Sequence, residues 1–335
     1  MRIKLLILSM TAFGLIISCS KSETHEMSEG NLSEIQFSAS SFVQLQTKAD
    51  PSTIDFPTDR DFAVYGWKTD GDLGTALGNV VLNNEKAEYS TDRFVTTDGK
   101  AYWDMANGSA KRFHFAAYAP HLANSPMTCE INGSSKFVLK FTGYQSSDIG
   151  IDLLYSDIER NQYRAKPAGS ELPPPVTLTF HHSMSRLIFN FVTTDASNVS
   201  VELVSANLID FCDKGDFSYT EDATASWNNV TKSGGTVKSA IDATTKEAFV
   251  IPQAVGDNTA IEFTYKLVFP ENVTSGPFQA PLLKLKSDAE GTPVGNWEMN
   301  MQTTYNFTIN PYKGEVTFGT EMSDWKTASG KIDAN

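Results

Sequence analysis

The chain has 335 residues, 40% of them hydrophobic, 11% aromatic and 20% charged, with 27 basic against 40 acidic side chains and a net charge of −13. It is too apolar and too aromatic for a disordered tail, and long enough for two domains that each bury a core. The acidic balance, with no Lys/Arg cluster, excludes the basic stripe that nucleic acid requires and makes an anionic membrane surface a poor electrostatic partner.

At the N-terminus, Arg2 and Lys4 precede an apolar run from Leu5 to Ile17 that ends at Ser18-Cys19. A bilayer span needs about 20 apolar residues, so this run is expected to be an export signal, residues 1–18. Its end, Leu15-Ile16-Ile17-Ser18-Cys19, resembles the lipobox of bacterial lipoproteins, which implies cleavage before Cys19 and acylation of its thiol and new amine. The alternative is an ordinary cleaved secretory signal in which Cys19 is incidental. Loss of residues 1–18 removes two basic and no acidic side chains, so the net charge falls from −13 to −15. Residues 19–33, including Ser20-Lys21-Ser22-Glu23, are polar and aperiodic and read as a flexible tether. The charged patch just after Cys19 resembles the signal that displays lipoproteins on the outer face of the outer membrane.

Beyond the tether the dominant period is two. Ile35, Phe37 and Ala39 alternate with polar residues, followed by Asp61–Trp67, Arg112–Tyr118, Val176–Phe180, Leu187–Phe191, Ile261–Leu267, Tyr305–Ile309 and Val316–Phe318. Short β-branched and aromatic runs separated by Gly, Asn, Asp and Pro predict an all-β fold of antiparallel sandwiches. About 300 residues are too many for one sandwich, so two in tandem are expected. Prolines in Lys166–Pro175 favour an extended connector, which places an N-terminal domain at 34–172 and a C-terminal one at 173–335. The alternative treats that segment as a surface loop, with the break after Phe191.

Catalytic and cofactor motifs are not found: the chain has no G-x-G-x-x-G, P-loop, H-E-x-x-H, G-x-S-x-G or C-x-x-C, and no enzyme activity, cofactor or metal is expected. His25-Glu26 lacks a second His and lies in the tether. His181 and His182 are adjacent on a predicted strand and point to opposite faces, so one packed and one hydrogen-bonded imidazole are expected. Asp70-Gly71-Asp72 lacks the distal ligands of a calcium loop and reads as a solvated turn. Besides Cys19 there are only Cys129 and Cys212, expected as two buried thiols in different domains rather than a disulfide. Trp67, Trp103, Trp227, Trp297 and Trp325 are expected in core or rim packing, although exposed they would form a sugar-stacking platform. A surface glycan-binding lipoprotein is therefore the alternative function.

The ordered set Glu34–Ala39, Thr47-Lys48-Ala49, Asp61–Tyr65, Tyr102-Trp103, Phe113–Pro120, Asp152–Tyr155, Phe180–Leu187, Phe249–Gln253 and Tyr305–Ile309 resembles the fimbrillin-like proteins of Bacteroidetes. The resemblance implies two transthyretin-like β-sandwich domains and a structural or adhesive role in a surface pilus, or fimbrium, at the outer membrane. It also implies assembly with other fimbrillin subunits by donor-strand insertion, after a trypsin-like protease cuts the loop behind the first strand; a host or bacterial surface ligand is a further possible partner. Here that strand is Glu34–Val43, and the loop Gln44–Arg60 has two basic residues, Lys48 and Arg60, of which Lys48 sits at the family's cut position. The alternative is that Lys48 is a solvated lysine in a subunit that is never processed. In stalk fimbrillins the donor resembles a C-terminal strand pair. Here the tail after Phe318 has only Met322, Trp325 and Ile332 as large apolar residues and is expected to be a poor donor, which leaves tip, accessory, anchor and stalk roles open. Metabolic labelling with a palmitate analogue should mark the intact chain and not its Cys19→Ala variant; label retained by the variant would contradict lipidation at this residue.

Overall fold

The computed structural model describes residues 32–43, 52–104, 111–124, 127–146, 148–164, 173–196, 198–268, 273–282, 294–313 and 315–324. No α-helix occurs among them. The first half of the chain forms β1 (Leu32–Glu34), β2 (Phe37–Val43), β3 (Ser52–Asp55), β4 (Phe62–Asp70), β5 (Asn79–Ser90), β6 (Arg93–Thr96), β7 (Tyr102–Asp104), β8 (Lys111–Ala119), β9 (Met127–Ile131), β10 (Phe137–Gln145), β11 (Leu154–Ser156) and β12 (Glu159–Gln162). The second half forms β13 (Val176–His182), β14 (Ser185–Thr193), β15 (Ser200–Ile209), β16 (Lys214–Thr220), β17 (Ser226–Thr231), β18 (Lys238–Ile241), β19 (Glu247–Val250), β20 (Gln253–Ala254), β21 (Ala260–Val268), β22 (Val273–Pro281), β23 (Asn296–Trp297), β24 (Met301–Ile309) and β25 (Val316–Asp324).

Alternation along the strands divides their side chains between two cores. On β4, Phe62 and Val64 enter one core and Ala63, Tyr65 and Trp67 another; on β8, Phe113, Phe115 and Ala117 share the first core and Ala116 and Tyr118 the second. The reason is the pairing. β2, β6, β5, β4, β8, β11 and β13 hydrogen-bond in that order, and β11 pairs with both β13 and β8, so the sheet closes on itself. Its interior holds Phe37, Phe56, Phe62, Phe94, Phe115 and Phe180. Outside the ring, a sheet of order β17-β16-β10-β9 covers the second core with Phe137, Leu139, Phe141, Phe217 and Tyr219. Gly66 lies where β4 passes Phe115; an added Cβ would sit 3.2 Å from that ring.

The rest of the second half is a sandwich of two four-stranded sheets, β19-β14-β24-β25 and β18-β15-β21-β22. Leu187, Phe189 and Phe191 on β14 and Tyr305, Phe307 and Ile309 on β24 meet Leu208 on β15 and Phe263 and Tyr265 on β21 in a third core. β14 and β24 run parallel and in register from Arg186/Gln302 to Thr193/Ile309.

Several expectations need correction. The expected division at 172/173 does not separate the sheets, because β13 is a stave of the N-terminal ring and β16 and β17 pair with β10. Sheet membership changes at Ser183 and Met184, so the alternative break after Phe191 falls inside β14. The exchange is reciprocal: Ile149 packs into the C-terminal core and accepts a 2.6 Å hydrogen bond from the Phe249 amide, while Trp227 Nε1 donates to the Ser183 carbonyl at 2.6 Å. The end of the expected tether, Leu32 and Ser33, lies in β1, which pairs with β7. The loop Gln44–Arg60 contains β3 and the buried Phe56, and the tail after Phe318 continues β25 to Asp324.

A fragment of residues 34–172 therefore lacks β13, β16 and β17, and with them Val176, Leu178, Phe180, Phe217 and Tyr219 of two cores. It should show no cooperative urea transition, whereas a cooperative transition with native-like near-UV circular dichroism would contradict the interlocked arrangement.

Candidate strand-acceptor site

β2 is the stave on which ring closure depends. Along one side it runs parallel to β13, Phe37 beside Val176 through Ser41 beside Phe180. Along the other it is antiparallel to β6 at Phe37/Phe94 and to β3 from Ser40/Asp55 to Val43/Ser52. The Val176 amide donates to the Gln36 carbonyl at 2.8 Å and the Phe56 amide to the Ala39 carbonyl at 3.2 Å. Side chains on the outer face add Ser38 Oγ to Thr177 Oγ1 at 3.1 Å and the Arg93 guanidinium to Gln36 Oε1 at 2.8 Å.

Inside the ring, Phe37 is 0% and Ile35 1% exposed. The Phe37 ring meets Phe115 edge-on at 5.4 Å and Phe62 at 6.3 Å between centroids. Ala39 is partly buried against the same core and Ser41 is fully buried. Ahead of β2, the Ile35 amide donates to the Ala101 carbonyl at 2.8 Å, and Lys100 pairs with Glu34 at 3.0 Å. β3 pairs with β2, and Phe56 just after it is held both by its amide bond to Ala39 and by its ring, 4.8 Å from Phe180, 5.8 Å from Phe94 and 6.0 Å from Phe62.

Of the residues singled out in the sequence, Cys19, Lys48 and Trp325 lie outside the described residues, as does His25. Arg60 is exposed and lines an open cleft of about 290 Å³ with Asp59, Asp61, Pro120 and Asp152. Its amide closes a turn to the Pro57 carbonyl at 3.2 Å. Trp67, Trp103 and Trp297 are buried and offer no open stacking face, and Trp227 is half-buried against Phe217 and Tyr144. Cys129 and Cys212 are free and half-buried rather than fully buried, and burial pushes the Cys129 thiol up. Both flank the sheet of β10, at opposite ends: Cys129 sits across from Leu139, and Cys212 precedes Lys214, the partner of Gln145.

The two histidines both meet carboxylates, which corrects the expectation of one packed ring. His181 Nε2 is 2.8 Å from Asp157 and its ring stacks on Tyr155, while the buried His182 Nδ1 is 2.7 Å from Asp152. Asp70-Gly71-Asp72 is a turn with Gly71 at φ +90°, its carboxylates paired with Lys111 and Arg112. Among the described residues no group of three or more His, Cys, Asp or Glu side chains could hold a metal ion. His114 had no distinguishing signal in the sequence. Burial, with the Arg160 charge nearby, pushes it down to about 4. The neutral ring accepts the Asn161 amide on Nδ1 at 3.0 Å, so Nε2 donates to Thr69 Oγ1 at 2.7 Å, tying β12 to β4 across β8.

Comparison with known proteins accords with this architecture. A family model described as fimbrillin-like matches residues 47–325. The chain belongs to the fimbrillin-like family, whose members are structural fimbrial subunits and not enzymes. The family places it at the cell surface, in association with other fimbrial subunits. Among solved structures it is similar to a candidate cell adhesion protein of Bacteroides uniformis, with 14% identity, a TM-score of 0.50, and coverage of 88% of this chain and 99% of that one. It is also similar to a fimbrial protein of Bacteroides vulgatus, with 14% identity, a TM-score of 0.46, and coverage of 87% and 99%. The C-terminally truncated tip fimbrial protein Mfa3 of Porphyromonas gingivalis gives 10% identity, a TM-score of 0.36, and coverage of 87% and 100%. A search of curated proteins returned no match.

Truncating Phe37 leaves a void against Phe62 and Phe115, and Phe→Ala at such a site costs about 3–5 kcal/mol. Phe37→Ala should lower urea stability by that order, while Val80→Ala, at 59% exposure, should stay within about 0.5 kcal/mol. Equal, small effects of the two would contradict the central role of β2.

Proposed function

We propose that this chain is a structural and adhesive fimbrial subunit that assembles by protease-triggered strand exchange. In this reading it is exported as a lipoprotein anchored to the outer membrane through Cys19 and is cut after Lys48, before its β2 lane is filled by a strand of another subunit. The observation that carries the reading is the position of β2. It closes the ring, carries the deeply buried Phe37 with Ile35 buried just ahead of it, and precedes all of the described fold except β1. Removing it uncovers two large apolar side chains' worth of burial, about 1.5–3 kcal/mol each, and frees the backbone groups of β13 that now face β2. An open lane of that kind binds an extended strand through main-chain hydrogen bonds and side-chain pockets.

The two basic residues of the connecting segment differ in consequence. A cut after Lys48 releases β1 and β2 and leaves β3 attached to Phe56, which three aromatic rings hold in the ring interior. A cut after Arg60 would also remove β3 and Phe56, opening the end of the barrel. Fixation of Phe56 therefore favours Lys48 as the productive site. At the other terminus, β25 is paired with β24 from Val316/Ile309 to Asp324/Met301, and a donor strand taken from it would first have to break that ladder. This supports a tip or accessory subunit, which receives a strand, over a stalk subunit that also donates one. The surface glycan-binding reading loses its main support with the burial of Trp67, Trp103 and Trp297.

Limited trypsin digestion of the soluble chain lacking residues 1–19, followed by mass spectrometry and an unboiled gel, tests the reading. Preferred cleavage after Lys48, with uptake of a strand from a second fimbrial subunit into a heat-labile, denaturant-resistant complex, is expected. Resistance at Lys48, or cleavage with no complex formed, would contradict it.

A further inference from the structure

We infer that the β2 lane is size-coded, and that the strand it accepts must run parallel to β13 and present, at alternate positions, a branched aliphatic, an aromatic, then two small residues. The inference rests on the strand-exchange reading and specifies the chemistry of the partner. Ile35, Phe37, Ala39 and Ser41 define the code, since these alternate residues turn toward the ring interior. The interior is not uniformly roomy. Around the position of Phe37 the walls are Phe62 and Phe115, placed 5.4–6.3 Å from its ring centroid in edge-on contacts that an aromatic occupant satisfies and an aliphatic one does not.

Two residues further on, the ring cluster extends beyond Phe62. Phe56 and Phe180 are 4.8 Å apart, Phe62 and Phe180 5.3 Å, and Phe62 and Phe94 5.0 Å, so the cluster runs from Phe94, opposite Phe37, to Phe180, beside Ser41. Ala39 stands beside the buried Leu178 and Ser41 beside the buried Phe180, so small residues fall where large buried neighbours stand. A large side chain at either position would overpack a close-packed interior. Polarity is set as well, because the acceptor edge of β13 pairs in parallel while β6 and β3 pair antiparallel; an occupant running the other way would reverse the order of large and small pockets.

The code also bears on Phe56. It fills the space between Phe180 and Phe94 from the loop side, so it acts as the filler that limits positions 39 and 41 and separates the aromatic pocket from the small ones.

The test uses the full soluble chain with a specific protease site replacing residues 46–49, folded and then nicked, so that the first strand remains bound without a covalent tie. Fluorescent peptides spanning residues 32–43 are then exchanged into the lane and followed by anisotropy. The native peptide should enter. Phe37→Leu and Ala39→Leu peptides should enter at least about tenfold more weakly, from a lost aromatic contact and from overpacking, and a reversed-sequence peptide should not compete. The Ala39→Leu defect should be relieved when the nicked chain carries Phe56→Ala. Entry of all peptides with equal affinity would overturn the size code while leaving strand exchange standing. Failure of even the native peptide to exchange, including in mild urea, would overturn both.

Discussion

A sheet that closes on itself has no edges, and a ring of seven strands keeps that property only while every lane is filled. The lane filled by β2 is the one contributed by the beginning of the chain, and it joins β13, from far along the sequence, to β6 and β3. Backbone groups on two sides of the lane and the buried side chain of Phe37 depend on this single strand, with Ile35 buried just ahead of it. The same strand is thus the one on which ring closure depends, flanked in the chain by β1, which pairs with β7, and by β3, which pairs with β2 itself.

The rest of the architecture braces the ring from outside that lane. β13 crosses from the C-terminal half to stand next to β2, the β16–β17 hairpin buttresses β10, and Ile149 plugs into the opposite core. Phe56 and its three aromatic neighbours fill one end of the interior from a segment that does not belong to β2. The outer sheet and the C-terminal sandwich line cores distinct from the ring interior that β2 fills. The two halves are best regarded as one interlocked framework closed by its first long strand.

Much of this was legible in the sequence, and the part that was not has physical reasons. Period-two alternation located β4, β8, β13, β14, β21 and β24, because each has a buried face that demands apolar residues at every second position. It also marked Glu34–Val43 as the first strand, although Ile35 and Gln36 form a break between β1 and β2. Polar edge strands such as β17, Ser226–Thr231, carry no such signal. The prolines before Val176 suggest a boundary because they interrupt pairing locally, but local chain geometry says nothing about which sheet the next strand joins. Parallel pairing of β2 with β13 spans well over a hundred residues and leaves no short-range trace. Phe56 was a lone aromatic in an apparent loop, and only the ring around it explains its burial.

The central claim is that β2 can leave without taking the fold with it. Its most direct test is hydrogen–deuterium exchange on the chain nicked between β2 and β3, measured residue by residue before and after the first strand is displaced. Amides of β13 from Val176 to Phe180 and of β6 should lose protection, while β14, β15, β21 and β24 keep theirs. Loss of protection throughout would show that β2 is an ordinary part of one cooperative core, and no loss anywhere would show that the lane does not depend on it.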